Sequence, residues 1–230
     1  MVPLSFCQKK VEVRWYYLIM LALTEYIKIF TALISIVDPV GAVPIFVSLT
    51  AGMDARGRRG IARMTGLAVG LILAGAALFG RVVLAFFGIS IGSFRVGGGI
   101  IILLMAVSMM QAKYAPGRQT TEEAQEAEEK DSIAVVPIAM PLLAGPGAIS
   151  AVIVYAQSPY EPLHIAIIVL ICALVALLTW VFLRAAGTVS RVMSRTAINI
   201  VTRLMGLLLT AISIELITGG LAQIFPSLTK

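Results

Sequence analysis

The sequence predicts an all-α, polytopic membrane protein with six transmembrane helices as two inverted three-helix repeats, whose first and fourth helices are broken. Three observations predict this fold class. Hydrophobic residues make up 59% and charged residues 13% of the 230 positions, whereas soluble domains carry about 25% charged residues. Six apolar stretches are long enough to span a bilayer, and two sets of matched residues recur at nearly one offset.

Six apolar stretches account for most of the chain. Each is about as long as the ~20 residues that cross the ~30 Å hydrocarbon core of a bilayer. Short polar connections separate them, at 52–60 and 184–195 for example. The longest connection, 113–131, is rich in acidic residues, which indicates a solvated loop or surface helix rather than a metal site. The predicted spans are residues 26–50, 64–87, 89–111, 132–157, 163–183 and 197–224.

The start of the chain resembles a signal peptide only in part. Lys9, Lys10 and Arg14 precede a short apolar run, but no small-residue cleavage pattern follows, and Met20 offers an alternative start. We therefore expect four parts in the chain. They are a leader or extracytoplasmic N-terminus (1–25), a first three-helix repeat (26–111), a charged cytoplasmic loop (112–131) and a second three-helix repeat (132–230).

The net charge is +6, and the positions of the basic residues along the chain are those expected of a membrane protein. Lys and Arg gather in the first, third and fifth connections, and the positive-inside rule places those connections in the cytoplasm. Both termini are then extracytoplasmic, in a multi-pass protein of the cell (inner) membrane. A re-entrant arrangement of the first and fourth segments gives a similar charge tally and stays open. The charge distribution predicts a lipid bilayer as partner and no nucleic acid.

Two pairs of matched residues indicate an internal repeat. Asp38-Pro39 recurs as Gly145-Pro146, 107 residues later, in the middle of the first span of each half. The Arg-x-x-Gly that starts at Arg95 recurs 108 residues later, at Arg203, where the third span of each half begins. Three spans per half is an odd number, so the second copy enters the membrane upside down, as in many secondary transporters.

The two proline positions predict helix breaks near the bilayer midplane. Proline removes a backbone donor and clashes with the preceding turn, and Asp followed by Pro favours the start of a new helix. Two helix N-termini with unpaired N–H groups suit a carboxylate ligand. We therefore predict a substrate site at the breaks, with a purely structural kink as the alternative. The predicted substrate-binding residues are Ser35, Asp38, Pro39, Gly41, Gly145, Pro146, Gly147 and Ser150.

Asp38 and Glu215 are the acidic residues placed deep in predicted spans. A carboxylate at bilayer depth is costly and usually functional, so both are candidates for coupling to a proton or sodium ion. Asp38 as a helix cap, and Glu215 as a hydrogen-bond partner of freed backbone, are the structural alternatives. Arg95 and Arg203 fit snorkelling to the interface.

Two further features have structural explanations. The glycines Gly97, Gly98, Gly99 and Gly206 are expected to allow close helix packing. No predicted strand precedes them, so they do not form a nucleotide loop. His164, the single histidine, is expected to be an interfacial residue at the head of the fifth span.

Four segments of the chain resemble the MarC family, also called the small neutral amino acid transporter or SnatA-type family. The resemblance runs from about residue 20 to the end, and its most specific words are DPVGAVPIF and PLLAGPGAI. It implies a six-span inner-membrane protein, and transport of glycine, alanine and similar amino acids by some members. One departure is that the family's third span often carries an acidic residue near its end, where this chain has Ala106-Val107-Ser108-Met109. The resembling segments are 25–50, 94–111, 137–150 and 202–213.

The combined prediction is a secondary transporter of small neutral amino acids of the glycine and alanine class, cation-coupled and working by alternating access. An exporter of drugs or other small compounds is the alternative. An enzyme is not expected, because the sequence has no Ser/His or paired-carboxylate constellation, and no cofactor is expected. Cys7 and Cys172 form no metal spacing, and no metal is expected. Direction of transport and oligomeric state stay open.

Overall fold

The computed structural model describes residues 23–50, 52–111, 143–157, 162–192 and 194–229, and all regular elements within them are helical. The all-α prediction is therefore confirmed for this part of the chain. Most of the leader, the charged loop at 112–131 and the first part of the fourth span lie outside the described residues. The helices are α1 (23–37), α2 (Pro39–Leu49), α3 (Ala55–Phe86), α4 (Ile91–Met110), α5 (Pro146–Ala156), α6 (Pro162–Arg184), α7 (Ala186–Val192) and α8 (Arg195–Ile224), followed by a 3₁₀ turn, Pro226–Thr229.

The outer surface of the helices is apolar. Five helical segments of the described residues are long and apolar enough to cross a membrane: Leu23–Leu49 (α1 with α2), α3, α4, α6 and α8. Large side chains such as Phe86, which is 83% exposed, face outward from these helices. An apolar exterior of this extent marks contact with lipid rather than water. The multi-span prediction is confirmed.

The broken first span occupies the centre of the molecule. In the most apolar part of Leu23–Leu49, 61% of the residues are buried, against 22–28% in the other four long spans. Ile36 and Val37, just before the break, and Val43 and Phe46, just after it, are fully buried. The other helices therefore surround the break and separate it from lipid.

Three predicted boundaries differ from the observed ones. The described part of α1 includes residues 23–25 of the predicted leader, and α3 begins at Ala55, inside the predicted polar connection 52–60. The Asp54 side chain accepts a hydrogen bond from Gly57 N at 2.8 Å and so caps α3. The connection 184–195 contains α7. Apolar runs mark only the hydrocarbon core, whereas capped helices continue into the polar layers on either side.

The second spans of the two halves, α3 and α6, pack against each other in opposite directions. A Cβ atom added at Gly66 would lie 2.8 Å from Trp180 Cβ, and one added at Gly70 would lie 3.0 Å from Ala176 Cβ. Residue numbers thus rise along α3 while they fall along α6. A two-fold axis that relates two antiparallel helices must lie across them, as an inverted repeat requires.

The third spans, α4 and α8, are antiparallel by the same criterion. Gly92 adjoins Gln223, whereas Gly99 adjoins Ile217. The helices that follow the breaks each pack on the other half of the protein: α5 packs on α3 and α4, and α2 packs on α6 and α8. This pattern supports the prediction that residues 26–111 and 132–224 superpose about an axis in the membrane plane.

The glycine triplet of α4 meets three different surroundings. A Cβ atom at Gly98 would lie 2.8 Å from Ser150 Cβ on α5, and one at Gly99 would lie 3.0 Å from the Ser213 carbonyl oxygen on α8. One at Gly206 would in turn lie 3.0 Å from the Ala106 carbonyl oxygen on α4. These three glycines allow close packing, as predicted. Gly97 is exposed with open space around its α-carbon, so the packing expectation is wrong there.

Candidate functional site

The first span breaks at Asp38, as predicted. Asp38 has φ 46° and ψ 64°, the left-handed region, and is the one non-glycine residue with positive φ in the described part of the chain. Asp tolerates this region because its short side chain can bond local backbone. Its Oδ1 accepts a hydrogen bond from Gly41 N at 3.0 Å, so it caps α2, with Pro39 in the first turn. The carboxylate is held at 6% exposure.

The break changes the hydrogen bonding of the last turn of α1. Pro39 has no N–H to donate to the Ser35 carbonyl oxygen. The Gly41 N–H, which an unbroken helix would direct to Val37 O, is directed to Asp38 Oδ1 instead. Helical bonding continues on either side, from Asp38 N to Ile34 O at 3.0 Å and from Ala42 N to Asp38 O at 3.2 Å. The Ser35 and Val37 carbonyl oxygens are therefore acceptors suited to a cation.

Gly41 is required by the Asp38 cap. A Cβ atom at position 41 would collide with Asp38 Oδ2, so only glycine leaves room for the carboxylate above the first turn of α2. This contact explains the glycine in the word DPVG without invoking direct contact with substrate.

We expect Gly41→Ala to displace the Asp38 carboxylate and lower the stability of the protein by about 1–2 kcal/mol, the usual cost of losing an N-cap. Thermal melting of the purified protein in detergent measures this change. Gly75→Ala is the matched control, because a Cβ atom at Gly75 meets nothing within 4 Å. Equal melting temperatures for the two variants would contradict the role assigned to Gly41.

The second break is described on one side only. α5 begins at Pro146 after Gly145, which is extended with φ −72° and ψ 177° and supplies no side-chain cap. The Gly145 carbonyl oxygen accepts the first helical hydrogen bond, from Ile149 N at 3.1 Å. Within the described residues no group accepts the N–H of Gly147 or of Ala148, and both residues are buried. Among the described residues, α5 therefore starts with two buried N–H groups and no cap.

The start of α5 lies between α4 and the end of α1. A Cβ atom at Gly147 would lie 3.8 Å from Ile36 Cγ2 on α1, 3.4 Å from Ile102 Cγ1 and 2.8 Å from Met105 Sδ on α4. The start of α5 thus lies close to the end of α1, two residues before Asp38. The contact between the two breaks is thus from Gly147 to Ile36, in a closely packed region.

Two predicted site residues make packing contacts instead. Ser35 is buried; its hydroxyl donates to the Thr31 carbonyl oxygen at 2.7 Å and lies 3.4 Å from Met205 Sδ on α8. Ser150 is buried against Gly98. The Ser35 side chain therefore serves helix packing. Its backbone carbonyl oxygen is the one that Pro39 leaves without a helical N–H donor.

Glu215 lies apart from the breaks. It lines a cavity of about 410 Å³, which we call the vestibule. Ile29, in the wall, is nine residues before Asp38, or about 13 Å along a helix. Glu215 thus shares a cavity with the N-terminal half of α1 and with none of the predicted residues of either break. The vestibule is lined by Glu25, Tyr26, Lys28, Ile29, Arg95, Val154, Tyr155, His164, Ile212, Glu215 and Leu216.

His164 joins three helices at the vestibule wall. It lies in the first turn of α6, at the head of the span as expected, and is buried within the protein at 5% exposure. Its Nε2 lies 2.8 Å from the Tyr155 carbonyl oxygen, which can only accept, so Nε2 carries the proton. In the neutral ring Nδ1 then accepts from the Tyr26 hydroxyl at 3.0 Å. The sequence analysis did not single out Tyr26 or Tyr155. Both lie near the ends of predicted spans on the same side of the membrane as His164, and that position was the only hint in the sequence.

Cys172 is fully buried in α6, which confirms the interpretation as a small core residue. Cys7 lies outside the described residues. Arg203 is exposed, two turns into α8, whereas Arg95 turns into the vestibule.

An apolar helical exterior, five long spans and a buried break in the central one define a polytopic integral membrane protein. Residues 23–225 match the sequence profile described as "MarC family integral membrane protein", and the chain belongs to that family.

The matches to three similar proteins extend over nearly the whole length of each relative. The chain is 41% identical to the UPF0056 membrane protein YhcE of Escherichia coli (strain K12), over 88% of this chain and 94% of the relative. It is 35% identical to YvbG of Bacillus subtilis (strain 168), over 89% and 97%. It is 38% identical to MJ1677 of Methanocaldococcus jannaschii, over 86% and 97%. No solved structure matches the chain.

Proposed function

We propose that this MarC family protein is a secondary transporter of small neutral amino acids of the glycine and alanine class. In this proposal it works by alternating access around its two broken helices and is coupled to a proton or sodium ion. The observation that carries the proposal is a chemical asymmetry between the breaks. The start of α2 is capped by the Asp38 carboxylate, and the matched start of α5 follows a glycine and has no side-chain cap.

The uncapped start of α5 suits the carboxylate of an amino acid. The buried N–H groups of Gly147 and Ala148 have no acceptor among the described residues, and a buried unpaired donor is costly. The helix dipole adds a partial positive charge at the same place. A substrate carboxylate would therefore do at α5 what Asp38 does at α2.

The Asp38 break suits the ammonium group. The Asp38 side chain is buried and can carry a negative charge, and the Ser35 and Val37 carbonyl oxygens belong to the preceding turn. A zwitterion placed between the breaks would bring one charge of each sign, so binding would leave the net charge of the site unchanged. A proton or sodium ion at Asp38 would couple to transport through the same carboxylate.

The packing around the breaks favours small side chains. Ile36, Ile102 and Met105 close around the start of α5, where even one added carbon at Gly147 would contact Met105 Sδ at 2.8 Å. Glycine and alanine demand the least extra space at such a site. A drug exporter would need a wide apolar cavity there, so the packing favours amino acids over drugs.

The test is uptake by the purified protein in proteoliposomes. We expect labelled glycine or alanine to accumulate when an inward proton or sodium gradient is imposed, and unlabelled alanine to compete. Leucine and methylamine should compete poorly, the first by size and the second because it has no carboxylate. Protein-free liposomes provide the baseline. Absence of uptake and of exchange under every gradient would refute the proposal, and efflux of drugs indifferent to alanine would favour the exporter.

A further inference from the structure

The vestibule carries charged groups that the break site does not use. We infer that it is a second binding site, in which Arg95 binds the carboxylate and Glu215 the ammonium of a zwitterionic ligand. The identification of that ligand as a transported amino acid rests on the proposed function; the binding itself does not. The vestibule lies between the N-terminal end of α1 and the breaks, where it would collect substrate before passage inward.

The charges of the vestibule balance as they would for a zwitterion. Glu25 and Lys28 form an exposed ion pair of 2.9 Å at its rim and satisfy each other. Arg95 and Glu215 remain, one of each sign, and neither has an ion-pair partner within 4.0 Å among the described residues. A ligand with one positive and one negative group neutralises both without adding net charge.

Arg95 is held ready for an anion. Its Nε is buried and has no hydrogen-bond partner in the described part of the chain. The guanidinium lies against Gly219 on α8, where an added Cβ atom would be 3.0 Å from Cζ. The two terminal nitrogens of Arg95 are not among the buried unpaired atoms, so a carboxylate in the vestibule can reach them and bind the guanidinium with two parallel hydrogen bonds.

Glu215 is placed one turn from that guanidinium. It is four residues before Gly219 on α8, so the two positions share one helix face, with Cβ positions about 5–6 Å apart. The Arg95 guanidinium and the Glu215 carboxylate line the same cavity and are more than 4.0 Å apart, so they form no ion pair with each other, and a small molecule with its ammonium and carboxylate groups on one carbon can contact both. The two groups thus define an α-amino acid more closely than a simple anion or amine.

The walls of the vestibule are fixed and partly polar. Tyr26, His164 and the Tyr155 carbonyl oxygen are linked by hydrogen bonds of 3.0 and 2.8 Å, which tie α1, α5 and α6 together. Its volume of about 410 Å³ lies within the roughly 300–1,000 Å³ range of ligand pockets. That volume exceeds what glycine needs, so the ligand is held with water rather than enclosed, as suits an access site.

The test measures binding at the vestibule with the break site disabled. Purified Asp38→Asn protein in detergent is titrated with L-alanine, propionate or ethylamine, and the ligand-induced rise in melting temperature gives the affinity. We expect alanine to stabilise it more strongly than either single-charge analogue. Adding Arg95→Gln or Glu215→Gln should weaken alanine binding about ten-fold or more, the loss typical of a hydrogen bond to a charged group.

Matched variants separate recognition from folding. Arg95→Lys keeps the charge but loses the two-pronged geometry, so it should retain part of the affinity. Arg63→Gln removes an exposed arginine of α3 outside the vestibule and should leave binding unchanged. Each variant's melting temperature without ligand reports whether it is folded.

Three outcomes would overturn the inference. They are unchanged alanine affinity after both substitutions, propionate bound as tightly as alanine, and no alanine binding to the Asp38→Asn protein. None of these depends on transport. Conversely, alanine binding through Arg95 and Glu215 in a protein that never transports amino acids would support the vestibule site and refute the proposed function.

Discussion

Asp38→Asn protein is expected to insert and fold at wild-type yield yet to lose most of its glycine and alanine uptake. Asn keeps a side-chain oxygen for Gly41 N and tolerates the left-handed conformation. It lacks the negative charge that would attract a substrate ammonium or a coupling cation. Initial uptake rates in proteoliposomes, normalised to reconstituted protein, measure the effect, and we expect a reduction of about ten-fold or more.

Asp38→Ala separates the charge from the cap. Alanine removes both the capping oxygen, at a cost of about 0.5–2 kcal/mol, and the tolerance for positive φ, at a further roughly 1–2 kcal/mol. This variant should therefore melt at a clearly lower temperature than Asp38→Asn. Near wild-type uptake by Asp38→Asn, together with poor folding of Asp38→Ala, would show that Asp38 is a helix cap and nothing more.

The breaks were predictable because their cause is local. Pro39 and Pro146 remove backbone donors wherever they stand, and Asp38 before a proline favours a helix start in any surroundings. The spans were predictable because apolar length must match the bilayer. The ends of the helices were harder to predict. With Asp54 as its cap, α3 begins at Ala55, nine residues before the predicted span, because capping and lipid contact are separate requirements.

The vestibule could not be predicted from the sequence. Arg95 and Glu215 were noticed individually: Arg95 as a residue that snorkels to the interface, and Glu215 as a coupling candidate or a partner of freed backbone. What places both at one cavity is the antiparallel packing of α4 on α8, through which Gly219 admits the guanidinium. His164 similarly gains its role from Tyr26, 138 residues away in the chain. Such contacts depend on how helices pair, which periodicity does not encode.

The close packing of α4 on α8 depends on Gly99. Gly97 and Gly99 are two residues apart in one helix, yet only Gly99 faces α8. A Cβ atom there would lie 2.7 Å from Ile217 Cγ1 and 3.0 Å from the Ser213 carbonyl oxygen, whereas one at Gly97 meets nothing within 4 Å. A backbone oxygen cannot move aside without shifting α8, so a larger side chain at 99 must separate the two helices.

We expect Gly99→Val to destabilise the protein by about 3 kcal/mol, the upper end of typical overpacking costs, and to lower its melting temperature by roughly 6–12 °C. Gly97→Val tests the same substitution on an exposed face and should change the melting temperature little. Both variants suffer the same weak preference of valine for helices, so their difference isolates the α4–α8 contact. Equal melting temperatures would mean that α4 does not present this face to α8.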